Sequence, residues 1–278
     1  MINLLYAGNK NVFDGLLISL LSITKHTKEA LNVFCFTMDL SEKDDRFKPI
    51  CDEQIKYLEN MLQEVNKDSR IKLFDLKELF LSELGNSKNL KNMFTPYAML
   101  RLLADKVDDI PDKIIYLDVD TIINNDLLEL WNIDISNYEL ACVKDLYNWA
   151  SPSRWSIKKY FNSGVLLLNM KTIRETGMFE RARKLVVNKK MLYVDQDALN
   201  ITVSKKLMLP EKFNSKDRYY PEIVVHHFCN VREGNIKFIG KWWHRIKPWN
   251  VELVKRKMSA YNDLLDEFLN RKNSLKNI

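Results

Sequence analysis

The sequence predicts an α/β fold in which helices flank a mixed, mostly parallel sheet. Short apolar segments, with the length of buried strands, alternate along the chain with longer segments of helical periodicity. Alternation of this kind is typical of sheets whose neighbouring strands are joined by helices and therefore run parallel. Hydrophobic residues make up 46% of the 278 residues and charged residues 29%, which is enough apolar side chain to bury a core and argues against disorder.

The predicted elements follow one another without a repeat or a clear linker. The helix expected from Thr95 onward has a threonine that can cap it and Pro96 at its first position. After residue 250, apolar residues at spacings of three and four predict an amphipathic helix. We expect one mixed α/β domain over residues 1–250 and a basic helical tail over 251–278. The strands are expected at 3–7, 31–37, 71–76, 113–117, 139–143, 161–169 and 223–227, and the earlier helices at 12–23, 49–65, 95–109, 178–187 and 196–203.

The net charge of +6 is concentrated near the C-terminus, since residues 230–278 hold eleven basic and five acidic side chains. A basic patch of this kind can bind phosphates, nucleic acid or an anionic membrane surface. No recognised nucleic-acid module is present, so we do not expect a nucleic-acid partner. No apolar run reaches the roughly 18 residues of a spanning helix. The start lacks a signal-peptide pattern and the four cysteines form no CxxC pair, so we expect a cytoplasmic protein with reduced thiols.

Two carboxylates come directly after the apolar segment 113–117. Asp118 and Asp120 are alternate residues, so they share one face if the extended backbone continues. In open α/β sheets, ligands bind outside the carboxyl ends of the strands. Neighbouring carboxylates repel unless a cation or a proton intervenes, and hard oxygen ligands suit Mg²⁺ or Mn²⁺. The pattern predicts a divalent cation site, and the alternative is a solvated turn.

Three of the four histidines lie between positions 226 and 244. His226 and His227 are adjacent on a predicted strand and point to opposite faces, so we expect at most one of them to reach a metal. Arg101 stands among apolar residues of its helix and is expected to pair with a phosphate or a carboxylate.

Two polar clusters interrupt apolar segments. Asp195-Gln196-Asp197 precedes an apolar helix, and an acidic first helical turn explains the two aspartates but not Gln196. Asn162-Ser163-Gly164 opens an apolar strand, where the alternative to a binding role is turn chemistry at the strand entry.

Three segments in this order resemble glycosyltransferase family 8: Tyr-Leu-Asp-Val-Asp at 116–120, Tyr-Phe-Asn-Ser-Gly-Val-Leu-Leu-Leu-Asn at 160–169 and Asp-Gln-Asp-Ala-Leu-Asn at 195–200. The resemblance runs from residue 3 to about residue 250 and is greatest to the bacterial lipooligosaccharide galactosyl- and glucosyltransferases, with glycogenin more distant. It implies a GT-A fold, a UDP-hexose donor, Mn²⁺ or Mg²⁺, and retention of anomeric configuration.

The resemblance also implies roles by position. Metal ligands would be Asp118, Asp120 and His227, and the sugar-binding and catalytic face would include Asp195, Gln196 and Asp145. Donor contacts would come from Ala7, Asn9, Asn11, Arg101, Asp118, Val119, Asn162, Ser163 and Lys247. Two departures stand out. Asn9 replaces an aspartate found in many relatives, and Lys247 of the Lys-Pro-Trp motif follows an intervening stretch, which leaves Lys241 as an alternative diphosphate ligand.

The resemblance implies transfer of glucose or galactose from a UDP-sugar to a glycan or lipid-linked acceptor. A sugar-nucleotide-binding protein without transfer is one alternative. Another is a haloacid-dehalogenase-like phosphatase, because residues 115–121 resemble its nucleophile motif, although no later Gly-Asp-x-x-x-Asp pattern follows. The basic tail, with Trp242, Trp243 and Trp249 nearby, suggests peripheral contact with the inner face of an anionic membrane.

Overall fold

A seven-stranded mixed sheet forms the centre of the protein in the computed structural model, which describes residues 1–90, 95–145, 157–216, 219–231 and 245–275. The strand order is β3-β2-β1-β4-β7-β6-β8, and β5 and β9 form a separate two-stranded sheet. The strands are β1 (Ile2–Ala7), β2 (Leu31–Thr37), β3 (Arg70–Asp75), β4 (Lys113–Leu117), β5 (Thr121–Ile123), β6 (Leu140–Lys144), β7 (Phe161–Asn169), β8 (Lys206–Leu209) and β9 (Val225–His227).

Strands β3, β2, β1 and β4 are mutually parallel, and β8 is parallel to β6. Strand β7 runs antiparallel to both of its neighbours, β4 and β6. The predicted mixed, mostly parallel sheet is therefore confirmed. The helices are α1 (Phe13–His26), α2 (Asp52–Gln63), α3 (Lys77–Leu84), α4 (Leu128–Trp131), α5 (Met170–Thr176), α6 (Met178–Asn188), α7 (Val194–Thr202), α8 (Val251–Lys257) and α9 (Asn262–Leu275).

Two apolar cores lie on opposite faces of the sheet. Strand β4 contributes to both because its side chains alternate: Ile115 and Leu117 enter the core formed with α1, α2 and α9, whereas Ile114 and Tyr116 enter the other. The second core is covered by α6, α7 and the 3₁₀ helix Pro96–Lys106. Burial on both faces explains why the central strands are continuous apolar runs in the sequence.

The boundaries of β4 and β7 agree with the sequence-based prediction, and several others shift by a few residues. Helix α1 continues to His26 because the helical backbone bond from Thr27 to Ile23 persists after the apolar pattern has ended. Helix α2 is shorter than the periodic stretch. It begins after Cys51, where Gln54 accepts the Cys51 backbone N–H at 3.1 Å.

Two helical predictions need correction. The segment after Thr95 is a 3₁₀ helix rather than an α-helix, and Thr95 makes no side-chain capping bond. The apolar positions after residue 250 are divided between α8 and α9 by a break at Met258, where φ is −142° and ψ is 74°. Both C-terminal helices bury apolar residues against the core that contains α1. Within the described ranges, no helix is long and apolar enough to cross a membrane.

Candidate active site

A cleft of about 820 Å³ opens where β1 and β4 end. These strands are parallel, so their carboxyl ends share one edge of the sheet, and the antiparallel β7 brings its first residues to the same edge. Every site residue predicted from the sequence lines this cleft: Ala7, Asn9, Asn11, Arg101, Asp118, Val119, Asp120, Asp145, Asn162, Ser163, Asp195, Gln196, His227 and Lys247. The alternative Lys241, like Trp242 and Trp243, lies outside the described residues.

Asp118, Asp120 and His227 form a compact cluster. Candidate ligand atoms of the three side chains lie within 4.8 Å of one another. His227 Nε2 is 3.2 Å from Asp120 Oδ1 and 3.5 Å from Asp118 Oδ2. Two carboxylates and an imidazole at this spacing fit a divalent cation such as Mn²⁺.

His226 faces away from this cluster, as the alternation of strand side chains predicts. Its Nδ1 lies 2.6 Å from the Tyr261 hydroxyl, and its ring packs on Phe228 in the core. His227 alone of the adjacent pair points into the cleft. The two histidines thus point to opposite faces of β9, as predicted, and only His227 lies beside Asp118 and Asp120.

Neighbouring side chains orient the three candidate ligands. Asp118 Oδ1 accepts hydrogen bonds from Arg101 at 2.8 Å and from Tyr116 at 2.7 Å, while Oδ2 faces His227. His227 Nδ1 lies 3.1 Å from the amide oxygen of Asn214. An amide oxygen only accepts, so Nδ1 carries a proton and Nε2 is the ring atom available to a cation.

Gly164 allows β7 to approach this cluster closely. A Cβ at this position would overlap the His227 ring and would lie 2.7 Å from Asp118 Oδ2. The glycine of the Asn-Ser-Gly segment is therefore required for space around the ligands, since the backbone itself adopts no left-handed conformation there.

Arg101 connects the cluster to the second half of the cleft. The buried guanidinium bonds to Asp118, lies 3.3 Å from Asp195 and stacks 4.0 Å above the Tyr116 ring. Arg101 was expected to pair with a phosphate or a carboxylate. Its partners in the structure are the carboxylates of Asp118 and Asp195. Burial raises the pKa of Asp195 above its usual value, although Arg101 lowers it in part.

Lys247 contacts Asp120, and its ammonium lies 3.4 Å from the Phe228 carbonyl oxygen. Burial raises the pKa of Asp120, but Lys247 and His227 outweigh burial and hold this pKa far below its ordinary value. Asp120 is therefore ionised over the whole physiological range, as a metal ligand must be.

Gln196 has a fully bonded side-chain amide. Its oxygen accepts hydrogen bonds from the Ser163 N–H at 3.0 Å and from Asn162 Nδ2 at 3.1 Å. Its nitrogen donates to Asp145 Oδ2 and to the Tyr160 hydroxyl, each at 3.1 Å. These contacts fix the amide rigidly against the start of β7.

The first loop uses its amides to shape the rim of the cleft. The side-chain nitrogens of Asn9 and Asn11 donate to the Arg46 carbonyl oxygen, at 3.0 and 2.8 Å. An aspartate at position 9 could not make the first of these bonds, because an ionised carboxylate has no donor. Asn9 therefore gives the first loop a hydrogen bond to residue 46 that an aspartate could not supply.

Comparison with known proteins identifies the family. The model of glycosyl transferase family 8 matches residues 3–261. The chain belongs to glycosyl transferase family 8. The Escherichia coli lipopolysaccharide glucosyltransferase WaaO is 27% identical, over 94% of this chain and 78% of its own length. A putative glycosyltransferase of Haemophilus influenzae is 24% identical, over 87% and 73%.

Solved structures show the fold. The structure of an active-site mutant of LgtC aligns with this chain with a TM-score of 0.71 and 17% sequence identity. The alignment covers 96% of this chain and 96% of LgtC. The galactosyltransferase LgtC in complex with donor and acceptor sugar analogs aligns with a TM-score of 0.67. The protein has the GT-A fold and is a glycosyltransferase of family 8, which confirms the resemblance stated from its three segments.

Four residues that contact the candidate site were not predicted as site residues, although Tyr116 and Tyr160 belong to segments that resemble the family. Tyr116, Asn214, Tyr160 and Lys216 all bond to predicted site residues. Tyr116 could have been noticed because it precedes Asp118 by two residues and shares its face of β4. Asn214 and Lys216 lie in a loop without a recognisable pattern, so only the fold brings Lys216 to the cleft and Asn214 next to His227.

Protonation of His227 predicts a pH-dependent metal affinity. Burial lowers the pKa of the imidazole, but interactions with Cys229 and with the Asp120 carboxylate raise it overall to about 10. The metal-free site therefore carries this proton throughout pH 6–8, and a cation must displace it. We expect the affinity for Mn²⁺ to rise about tenfold per pH unit in this range, with about one proton released.

Titration calorimetry in buffers of different ionisation enthalpy measures that proton directly. The variant His227→Gln serves as the control, since it should bind more weakly and lose most of the pH dependence. Binding of Mn²⁺ to the wild type with equal affinity at pH 6 and pH 8 would contradict the prediction.

Proposed function

We propose that this protein transfers glucose or galactose from a UDP-sugar to a glycan or lipid-linked acceptor, with retention of anomeric configuration. The observation that carries the proposal is the joint position of two groups in one cleft: the Asp118, Asp120 and His227 cluster, and the fixed amide of Gln196 beside Asp195. The names of two relatives, lipopolysaccharide glucosyltransferase WaaO and a Salmonella typhimurium lipopolysaccharide 1,3-galactosyltransferase, support these hexoses and an acceptor of the lipopolysaccharide type.

The leaving group would be UDP, whose diphosphate gains negative charge as the glycosidic bond breaks. The side chains that would hold Mn²⁺ or Mg²⁺ are Asp118, Asp120 and His227. The cation would neutralise part of the negative charge that develops on the diphosphate. Lys247 would exchange its contact with Asp120 for a diphosphate oxygen. Ala7, Asn9, Asn11 and Val119, at the rim of the same cleft, would bind the uridine.

Gln196 is unsuited to act as a nucleophile. Amide oxygens are poor nucleophiles, and this one already accepts two hydrogen bonds. Retaining hydrolases use a carboxylate close to the anomeric carbon instead. We therefore favour attack by the acceptor hydroxyl from the side of the leaving group, with the hydroxyl proton passing to the departing phosphate oxygen. Asp145, Asp195 and Gln196 would orient the sugar.

Release of UDP tests the function. UDP-glucose, UDP-galactose and UDP-N-acetylglucosamine are each incubated with Mn²⁺ or with EDTA, using the wild type and Asp120→Ala. We expect slow Mn²⁺-dependent release from one hexose donor and none from the variant. Asp108→Ala, an exposed aspartate far from the cleft, is the matched control and should behave as wild type.

The alternatives give different results in the same assay. Binding of a UDP-sugar without release, even with a broad panel of acceptors, would favour a binding protein that does not transfer. Hydrolysis of p-nitrophenyl phosphate with Mg²⁺ would favour the phosphatase.

Removal of the Gln196 side chain should affect turnover more than donor binding. The change Gln196→Ala frees Asp145 and Asn162 from their shared partner. We expect kcat to fall about 100-fold, because small misplacements of orienting groups have effects of that size. The dissociation constant of UDP with Mn²⁺ should stay within about threefold of wild type, since the loss is confined to the sugar-facing groups. A large loss of UDP-sugar affinity with unchanged kcat would contradict this role.

Cytoplasmic localisation and peripheral membrane contact remain further proposals. The basic tail residues Lys255, Arg271 and Lys272 pair with Asp266, Glu64 and Asp14, which reduces the charge they present to a surface. The proposed membrane contact is made by this basic tail together with Trp242 and Trp243. Absence of binding to anionic vesicles, even at low salt, would remove this proposal.

A further inference from the structure

Lys216 is a buried cation beneath the sugar-facing part of the cleft. Its ammonium lies 3.6 Å from Asp145 Oδ1 and donates to the Lys144 carbonyl oxygen at 3.2 Å. The exposed fractions of the two side chains are only 2% for Lys216 and 1% for Asp145. An ionised carboxylate at such depth needs a compensating charge, because burial of an isolated charge is strongly unfavourable. Lys216 supplies that charge.

An ionised Asp145 is one of the groups that determine which way the Gln196 amide points. An amide has one accepting and one donating end, and the two orientations are otherwise similar in shape. On one side, the Ser163 backbone N–H can only donate, so it selects the amide oxygen. On the other side, an ionised Asp145 can only accept, so it selects the amide nitrogen. A protonated Asp145 could donate and would no longer make that selection.

Tyr160 has an equivalent arrangement on the same amide nitrogen. Its hydroxyl donates to Asp197 Oδ1 at 2.6 Å, so the hydroxyl oxygen is left to accept from Gln196 Nε2. Both acceptors of Nε2 are therefore held as acceptors by a further group: Tyr160 by Asp197, and Asp145 by Lys216. These side chains are all buried.

This hydrogen-bond network extends from Gln196 toward the candidate metal ligand His227. Asn162 accepts a hydrogen bond from Asn214 Nδ2 at 2.9 Å, and Asn214 Oδ1 faces His227 Nδ1. Asn162 Nδ2 in turn donates to Gln196. Bonds between polar side chains therefore continue from His227 to Lys216, so the orientation of one amide influences the next.

We propose that Lys216 is a positioning residue for glycosyl transfer, which keeps Asp145 ionised and thereby fixes the Gln196 amide with its nitrogen toward Asp145 and its oxygen toward Ser163. This inference rests on the proposed function. Lys216 acts through two other side chains, so its loss affects the rate of transfer rather than binding of the nucleotide. Sequence motifs did not indicate this residue.

A double-mutant cycle tests the proposal. Lys216→Met removes the ammonium and retains an apolar stem, and we expect kcat to fall about 100-fold. Asp145→Asn leaves the Lys216 ammonium buried without its carboxylate partner. We therefore expect the kcat of this variant to be lower than that of the wild type as well. The combination Lys216→Met/Asp145→Asn contains neither charge, and its amide oxygen still accepts from Gln196. We expect it to recover at least about tenfold in kcat over Lys216→Met, a non-additive result typical of side chains in direct contact.

Further measurements separate positioning from folding. UDP affinity in the presence of Mn²⁺ should stay within about threefold of wild type in each folded variant. Lys205→Met, an exposed lysine of the same region, is the control and should leave kcat unchanged. If Lys216→Met does not fold, the double variant is compared with wild type directly, and a folded double variant without activity overturns the proposal.

The outcomes are distinct from a failure of the proposed function. No UDP release by the wild type from any of the three donors would refute the function itself. With an active wild type, kcat of Lys216→Met within threefold of wild type would refute the inference alone. A double variant no faster than Lys216→Met would also refute it.

Discussion

Replacing Gly164 by alanine should strongly weaken binding of Mn²⁺ to the candidate ligands Asp118, Asp120 and His227. The added Cβ would overlap the His227 ring and approach Asp118 Oδ2 to 2.7 Å, so two of the three candidate ligands would have to move. Changes that only disturb the partners of ligands cost 10–100-fold in metal affinity, and we expect a loss of about 100-fold or more here. UDP release should fall to the level measured with EDTA. Calorimetric titration with Mn²⁺ measures the effect.

Gly177→Ala provides a matched control. Gly177 is a glycine with a φ of 64°, between α5 and α6, and a Cβ there would find its nearest neighbour 3.6 Å away. Alanine should lower the free energy of unfolding by about 1 kcal/mol through backbone strain and leave Mn²⁺ affinity unchanged. If Gly164→Ala bound Mn²⁺ as tightly as this control, the close approach of β7 to the ligands would not matter for the site.

Replacing Arg101 by methionine should produce a large loss of stability. Arg101 is buried, and its guanidinium lies between Asp118 and Asp195, so its removal leaves two carboxylates close together without the cation. Breaking a buried ion pair by removing one partner costs about 3–5 kcal/mol. At about 2–4 °C per kcal/mol for a chain of this size, Tm should fall by about 10 °C.

Thermal unfolding without metal measures the change, and addition of Mn²⁺ provides a second readout. A cation next to Asp118 would compensate part of the lost charge, so Mn²⁺ should raise the Tm of the variant by more than that of the wild type, provided that the variant still binds. Arg46→Met is the control, because the Arg46 side chain is 77% exposed and pairs with Asp44 at the surface. Its effect should be below about 1 kcal/mol. Equal Tm values for the two variants would refute the structural role of Arg101.

The strands nearest the site could be predicted because their sequence pattern is strong. Strand β4 is an apolar run followed by polar residues, and β7 is an apolar run bounded by asparagines. Both are buried on two faces, which leaves little ambiguity. Strand β5 contains only three residues, and the four residues of β8 are all half-buried, so neither shows a pattern that sequence periodicity can detect.

Helical type and helix breaks were harder to predict. The segment Pro96–Lys106 is a 3₁₀ helix. Its apolar residues recur at spacings that an α-helix would also show, so the sequence pattern does not distinguish the two helix types. The break at Met258 has no glycine or proline, so no residue that usually interrupts a helix marks it in the sequence. The apolar spacing alone does not show where the helix is interrupted.

The residues of the candidate site also form two groups, one that could be predicted from the sequence and one that could not. Residues at the ends of strands, such as Asp118 and Asp120, could be predicted because topology places strand ends together. The residues that orient them could not. Asn214 and Lys216 reach the site from a loop, and their contacts with His227 and Asp145 depend on how distant segments fold onto one another. A single sequence contains no record of those distances.

The reversed direction of β7 has a consequence for how the site comes into existence during folding. The candidate ligands and the glycine that makes room for them come from the residues directly after β4, from β7 and from β9, so no short continuous segment of the chain contains them. Pairing of β4 with β7 and of β5 with β9 must close long loops, whose entropic cost delays such contacts. Mn²⁺ affinity should therefore arise late in refolding, when the chain has acquired its complete topology, and the ion would then act as a cross-link between segments more than one hundred residues apart.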